Sequence, residues 1–170
     1  MSLNARFAPV LLAAALAAGC ASAPPGQRAF AKVQAVYGQV PSGNVEFIQQ
    51  GNDAAVFANF MGWPSNMQMA FHVHEKGECV LPSLESSGPI FDPTGSKPHG
   101  PLDREHKMGD MPNLVADNEG RVIARYLIPG MKVSELIGRS VILHRDPDDY
   151  RTQPEGNSGD RIGCGVINAK

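Results

Sequence analysis

The sequence has few aromatic residues, few cysteines and no block of basic residues. Aromatic side chains make up 6% of the 170 residues, only three residues are cysteine, and the formal net charge is −2. Because no cluster of positive charge offers a footprint for phosphates, we expect no nucleic-acid partner. Beyond residue 19 no apolar run is long enough to span a bilayer.

Glycine and proline, by contrast, are plentiful and lie between short apolar runs, with 18 and 14 residues respectively. This distribution is typical of turn-rich β proteins. The clearest alternation runs from Met67 to His74, with apolar side chains at the odd positions, as in a strand with one buried face. Helical periodicity is weak, although one turn is expected at 133–137. Strands are predicted near 31–37, 44–49, 54–60, 66–74, 113–117, 121–127, 139–144 and 162–168.

We therefore predict an all-β fold, an eight-stranded antiparallel Greek-key β-sandwich or barrel. Two long stretches, 75–113 and 145–161, lack any strand pattern. Irregular segments of this length in a compact domain are usually functional. We expect both to converge on the strands that carry the histidines.

The N-terminus has the pattern of an export signal. Arg6 precedes an apolar run that is too short to span a membrane and ends in Ala17-Ala18-Gly19-Cys20. This favours a lipoprotein-type signal over 1–19, a lipid anchor on Cys20, a tether over 20–29 and a domain over 30–170. Ordinary cleavage near residues 21–23 is the alternative. Either route predicts a protein of the periplasm or cell envelope. The lipoprotein route attaches it to a membrane only through the anchor on Cys20.

Two cysteines remain in the domain, Cys79 and Cys164. An even pair in an oxidising compartment favours a disulfide, and two buried free thiols are the alternative.

Three of the five histidines lie on strand patterns. His72 and His74 are two residues apart, so their imidazoles project from the same face of a strand. His144 ends the run 140–144. A shared metal ion is a common reason for neutral imidazoles to lie side by side. A His-x-His pair by itself is a weak signal, because histidines are also frequent on protein surfaces.

The context of these histidines resembles the copper/zinc superoxide dismutase family. Five segments occur in that family's order: AFHVHEKGEC at 70–79, PTGSKPHG at 93–100, GDMPNL at 109–114, HRDPDDY at 144–150 and GNSGDRIGCGVI at 156–167. The resemblance covers about residues 30 to 168.

The resemblance implies a role for each matching residue. His72, His74 and His144 correspond to copper ligands, His99 and Asp110 to zinc ligands, and Asp148 to the carboxylate that links a copper histidine to a zinc histidine. Cys79 and Cys164 correspond to the disulfide. Arg161 corresponds to the arginine that guides the superoxide anion, and a structural salt bridge with Asp160 is its alternative role.

Two positions depart from the family pattern. Ile90 stands where the family has the histidine that bridges copper and zinc, so both metals lose a ligand. Lys107 stands three residues before Asp110, where a zinc histidine is expected. His106 is the remaining candidate for that zinc ligand, but it is one residue out of step. Structural zinc needs four ligands, so we expect a copper site of three imidazoles and an incomplete zinc site.

The resemblance implies a copper-dependent superoxide dismutase. An envelope copper carrier with the same fold and little activity is the first alternative, and a metal-free structural relative is the second. The sequence does not indicate an oligomeric state.

Overall fold

The computed structural model describes residues 26–36, 41–95, 98–100 and 105–170. The expected signal over 1–19, Cys20 and the tether as far as residue 25 lie outside the described residues. Among the residues that are described, no helix has the length and apolar character needed to cross a membrane.

Antiparallel strands make up almost all of the regular structure. The described residues form nine strands, one short α-helix and one 3-10 turn at Glu85–Ser87. The helix, α1, spans Val133–Leu136, as the predicted single turn requires. The strands are β1 Arg28–Ala35, β2 Ser42–Gln50, β3 Asp53–Met61, β4 Gln68–Met69, β5 Phe71–His74, β6 Leu114–Val115, β7 Val122–Ile128, β8 Ser140–His144 and β9 Arg161–Ala169.

Seven of these strands form one sheet that curls into a half-barrel, in the order β5-β8-β9-β1-β2-β3-β7, and β4 pairs with β6. Every pairing is antiparallel. The pairs β1–β9 and β5–β8 join strands that are distant in the chain. The predicted all-β antiparallel sandwich is confirmed.

The core follows from the period of two along each strand, because alternate side chains point to one side of the curled sheet. Fully buried apolar residues recur at every second position of β1, β2, β3, β5 and β8 and belong to one cluster. Its strand members include Val33, Phe47, Val56, Phe60, Phe71, Val73, Val141 and Leu143. The other faces of β5 and β8 are thereby turned towards the long loops.

Several strand boundaries differ from those predicted. β1 begins at Arg28, inside the expected tether, because Ala29 is already buried in the core and pairs with β2 and β9. The strand predicted at 66–74 is divided at Ala70, whose amide donates to Asp146 O and whose carbonyl accepts from His144 N. Its two halves pair with different strands, which gives nine strands rather than eight.

The disulfide between Cys79 and Cys164 is confirmed, with a Cα–Cα distance of 5.8 Å. It joins the first long loop to β9 and packs beside Leu84 and Ile142 in a second, smaller buried cluster. The half-cystines are 85 residues apart in sequence. Closing so long a loop stabilises the fold by about 4.5 kcal/mol in the chain-entropy model.

Candidate metal centre

Three buried histidines lie on the loop-covered face of β5 and β8. In β5 the side chains of Phe71 and Val73 enter the core, so His72 and His74 point to the opposite face. His72 lies opposite Ile142 of β8, and His144 is two residues further along on the same face. All three histidines are fully buried, because the loops that follow β5 and β8 cover them.

The nitrogens of these imidazoles converge on one point. His72 Nδ1 lies 3.1 Å from His144 Nε2, and one nitrogen from each of His72, His74 and His144 lies within 4.8 Å of the other two. His74 Nε2 is buried and has no hydrogen-bond partner. A buried polar atom without a partner is costly and calls for a ligand or ion.

The remaining ring nitrogens are held by the surrounding protein. His74 Nδ1 donates to Gly88 O at 2.8 Å, and His72 Nε2 donates to Asp148 Oδ2 at 3.0 Å. The Ser158 hydroxyl donates to Glu155 O, so its oxygen accepts from His144 Nδ1 at 3.0 Å. These bonds fix the tautomers and leave three lone pairs facing inward. The donor set therefore fits a metal ion of the kind that prefers imidazole.

Burial keeps the rings of His74 and His144 neutral. Desolvation lowers the pKa of His74 well below its usual value. It also lowers the pKa of His144 to about 3, with the nearby His72 adding to the effect. Because a metal binds the neutral imidazole, neither ring has to lose a proton first at physiological pH.

A carboxylate links this cluster to a second one. Asp148 Oδ2 accepts from His72 Nε2 and lies 2.8 Å from His99 Nε2, while His99 Nδ1 lies 2.6 Å from Asp110 Oδ1. Burial opposes a charge on His99, but the hydrogen bonds to Asp110 and Asp148 prevail and raise its pKa to about 9. Burial likewise opposes charge on Asp148, and the bonds from His72 and His99 outweigh it and lower its pKa. The Asp148 carboxylate thus contacts both His72 and His99, and its role between two metal sites stays a prediction.

The predicted zinc ligands are only partly brought together. His106 Nδ1 donates to Lys107 O at 2.7 Å and lies 3.9 Å from Asp110 Oδ2. That carboxylate oxygen accepts instead from the backbone amides of Gly100 and Lys107. In the described part of the chain, the second group of three potential ligands is His72, His99 and Asp148, and His106 is not in it.

Ile90 lies beside the cluster. It forms an isolated antiparallel bridge with His74, and Asp110 forms another with His72. Directly opposed residues of an antiparallel pair have side chains on the same face. The Ile90 side chain, 1% exposed, therefore stands next to an imidazole and supplies no donor atom. That it replaces a bridging histidine stays a prediction.

Arg161 lies opposite His144 across the β8–β9 pair. Its guanidinium donates to Ser87 Oγ at 2.9 Å, to Leu84 O at 3.2 Å and to Glu155 Oε1 at 2.6 Å. The alternative partner considered for it, Asp160, instead pairs with the exposed Arg145.

Sequence reasoning missed five members of the site. Ser158 and the carbonyl of Gly88 accept from histidine rings. Glu155, Ser87 and the carbonyl of Leu84 accept from the Arg161 guanidinium. Ser158 lies within a motif that the resemblance covered, but Glu155 and Gly88 lie in irregular loops where no spacing signals a contact.

Comparison with known proteins points to one family. Residues 41–167 match the family model described as copper/zinc superoxide dismutase. Superoxide dismutase (Cu-Zn) 2 of Aquifex aeolicus (strain VF5) is 40% identical over 134 residues, which cover 74% of this chain and 78% of that protein.

Solved structures extend the comparison to the fold. The clock protein EA4 matches with a TM-score of 0.76 and 31% identity, over 88% of this chain and 98% of that one. A SOD-like protein from Bacillus subtilis matches with a TM-score of 0.72 and 31% identity, over 80% and 95% of the two chains.

Proposed function

The chain belongs to the copper/zinc superoxide dismutase family, and from that premise we propose that it is a copper-dependent superoxide dismutase with a degraded zinc site. The observation that carries the proposal is the convergence of three buried imidazole nitrogens, one of which has no hydrogen-bond partner.

His72, His74 and His144 would hold copper, which when bound supplies the one-electron redox chemistry of dismutation. Asp148 fixes the orientation of His72, and Gly88 and Ser158 fix the other two rings. The hydrocarbon side chain of Ile90 can neither donate nor accept a proton. The protons that peroxide formation consumes would therefore come from solvent.

Arg161 would attract the superoxide anion. Its guanidinium is close enough to the cluster to lower the pKa of His74, after the larger effect of burial. A fixed positive charge beside a metal site raises the local concentration of an anionic substrate, an effect for which superoxide dismutase is itself a standard example.

Zinc occupancy is expected to be low. Asp110 and His99 are bonded to each other, and the His106 ring is engaged by a backbone carbonyl. Two ligands fall short of the four that a structural zinc site requires.

We further propose a location in the periplasm or cell envelope. The apolar N-terminal segment and Cys20 support a lipid anchor. The Cys79–Cys164 disulfide suits an oxidising compartment.

The decisive experiment compares the copper-loaded wild type with Arg161→Ala in a rapid superoxide-decay assay. We expect the wild type to remove superoxide well above the rate of the metal-free protein. In the variant this rate should fall about tenfold, which is the lower end of the range for electrostatic steering of a charged substrate. Arg145→Ala is the matched control, since Arg145 is exposed and paired with Asp146 and Asp160, and it should keep wild-type activity.

An envelope copper carrier is the second candidate. The specific observation in its favour is that the positive charge of Arg161 is matched by Glu155. Stoichiometric, tight copper binding without any turnover would contradict the dismutase proposal and support this one.

A further inference from the structure

The guanidinium of Arg161 is already occupied by an anion of the protein itself. Glu155 Oε1 accepts from Arg161 Nη2 at 2.6 Å, while Nη1 is bound by Leu84 O and Ser87 Oγ. The Arg161 side chain is 8% exposed and that of Glu155 is 23% exposed. An incoming anion therefore has to compete with Glu155 for the Arg161 guanidinium.

A second carboxylate near Arg161 has a different environment. Glu85 Oε2 lies 3.9 Å from Arg161 Nη1, and its side chain is 76% exposed. Solvent screens such a contact, so its contribution is small. Glu155 is the acidic group that stands in direct, partly buried contact with the arginine.

Glu155 is also tied to the imidazole cluster through its backbone. Its carbonyl accepts from the Ser158 hydroxyl, and the Ser158 oxygen accepts from His144 Nδ1. The chain of contacts holds residue 155 at a fixed distance from both Arg161 and His144. Its carboxylate thus reaches Arg161 from a backbone position that the imidazole cluster anchors.

We propose that Glu155 is an internal competitor for anions, which occupies the anion position on Arg161 and sets how tightly the site takes up a small anion. An anion reaches the guanidinium only when the carboxylate is displaced. Glu155 is therefore a specificity-determining residue, and this inference rests on the proposed function only in naming superoxide as the anion.

The test uses Glu155→Gln, which keeps the size of the side chain and removes its charge. Azide is the probe, because it is a small monoanion that can be titrated at equilibrium. In the copper(II)-loaded protein, its binding is followed by visible absorption. In the metal-free protein, it is followed by the NMR signal of the Arg161 Nε–H group.

We expect azide affinity to rise about tenfold in Glu155→Gln in both forms, within the range by which a charged site concentrates an anion. Glu85→Gln removes the same charge from the exposed carboxylate and should change the affinity less than twofold. The double variant Glu155→Gln/Arg161→Gln should lose the gain. Thermal unfolding of each variant verifies that the fold is intact.

The outcomes separate the two claims. Equal azide affinity in the wild type and Glu155→Gln, or an equal gain in Glu85→Gln, would overturn the inference. Tighter azide binding in the metal-free protein supports it even if no variant shows dismutation, a result that would contradict only the proposed function.

Discussion

Ile90 is the position at which one substitution should change both metal sites. It is 1% exposed and bridged to His74, so an imidazole placed there would lie beside the copper cluster. Along the edge of β5 that does not pair with β8, Gly109 O accepts from Val73 N and Gly109 N donates to Phe91 O. These bonds place the segment that carries Asp110 at the same edge of β5 as Ile90. Ile90→His should therefore add a ligand that copper and zinc can share.

The size of the effect follows from burial. Full burial of an isoleucine side chain contributes about 1.5–3 kcal/mol to the free energy of unfolding. A buried imidazole without a hydrogen-bond partner does not replace this contribution. We expect the metal-free variant to be destabilised by about 2 kcal/mol, a fall in Tm of about 4–8 °C for a chain of this size. Zinc should reverse this loss, because a ligand that binds only the folded state stabilises it.

The assay combines zinc content after dialysis against a weak chelator, thermal unfolding with and without zinc, and superoxide decay of the copper-loaded protein. Ile90→Asn is the control, since it introduces a buried polar group without an imidazole and should lose stability without gaining zinc. If Ile90→His changes neither zinc retention nor dismutation, Ile90 does not occupy the shared position.

Two further predictions concern the protein around the imidazoles. In the metal-free protein, His144 has a pKa of about 3 and His99 a pKa of about 9, against about 6.5 in the unfolded chain. Between about pH 3 and 6.5 the unfolded state binds more protons because of His144, so stability rises with pH; between about pH 6.5 and 9 the folded state binds more because of His99, so stability falls. Stability should therefore be maximal near about pH 6.5. Urea unfolding that showed stability rising steadily from about pH 6.5 to 9 would contradict this. Gly156→Ala should weaken copper binding by about 10–100-fold, as loss of an orienting group does, because the new Cβ would lie 1.7 Å from Asp148 Oδ1. Gly130→Ala has a similar positive φ, with open space around it, and should leave copper affinity, measured by chelator competition, unchanged.

The strands and their faces were predictable from the sequence. Alternation between Met67 and His74 predicted the common face of His72 and His74, and the structure has it. The period alone did not show that this face is also buried, because its cover comes from loops without a pattern. Nor did it show the break at Ala70, which depends on hydrogen bonds to residues more than 70 positions away.

The loop contacts of the site were not predictable in the same way. Glu155 approaches Arg161 only because the segment before β9 folds back over the sheet, and no local periodicity encodes that path. The resemblance made His106 a candidate zinc ligand although it is one residue out of step with Asp110, and in the structure its ring donates to the carbonyl of Lys107. The family resemblance named these loop candidates, and the course of the loops decides which of them lie close together.

X-ray absorption at the copper edge tests the central claim most directly. The copper-loaded wild type should contain one copper per chain with scattering from three imidazole rings, and His74→Gln should reduce this to two. Copper whose coordination is unchanged by His74→Gln would contradict the account.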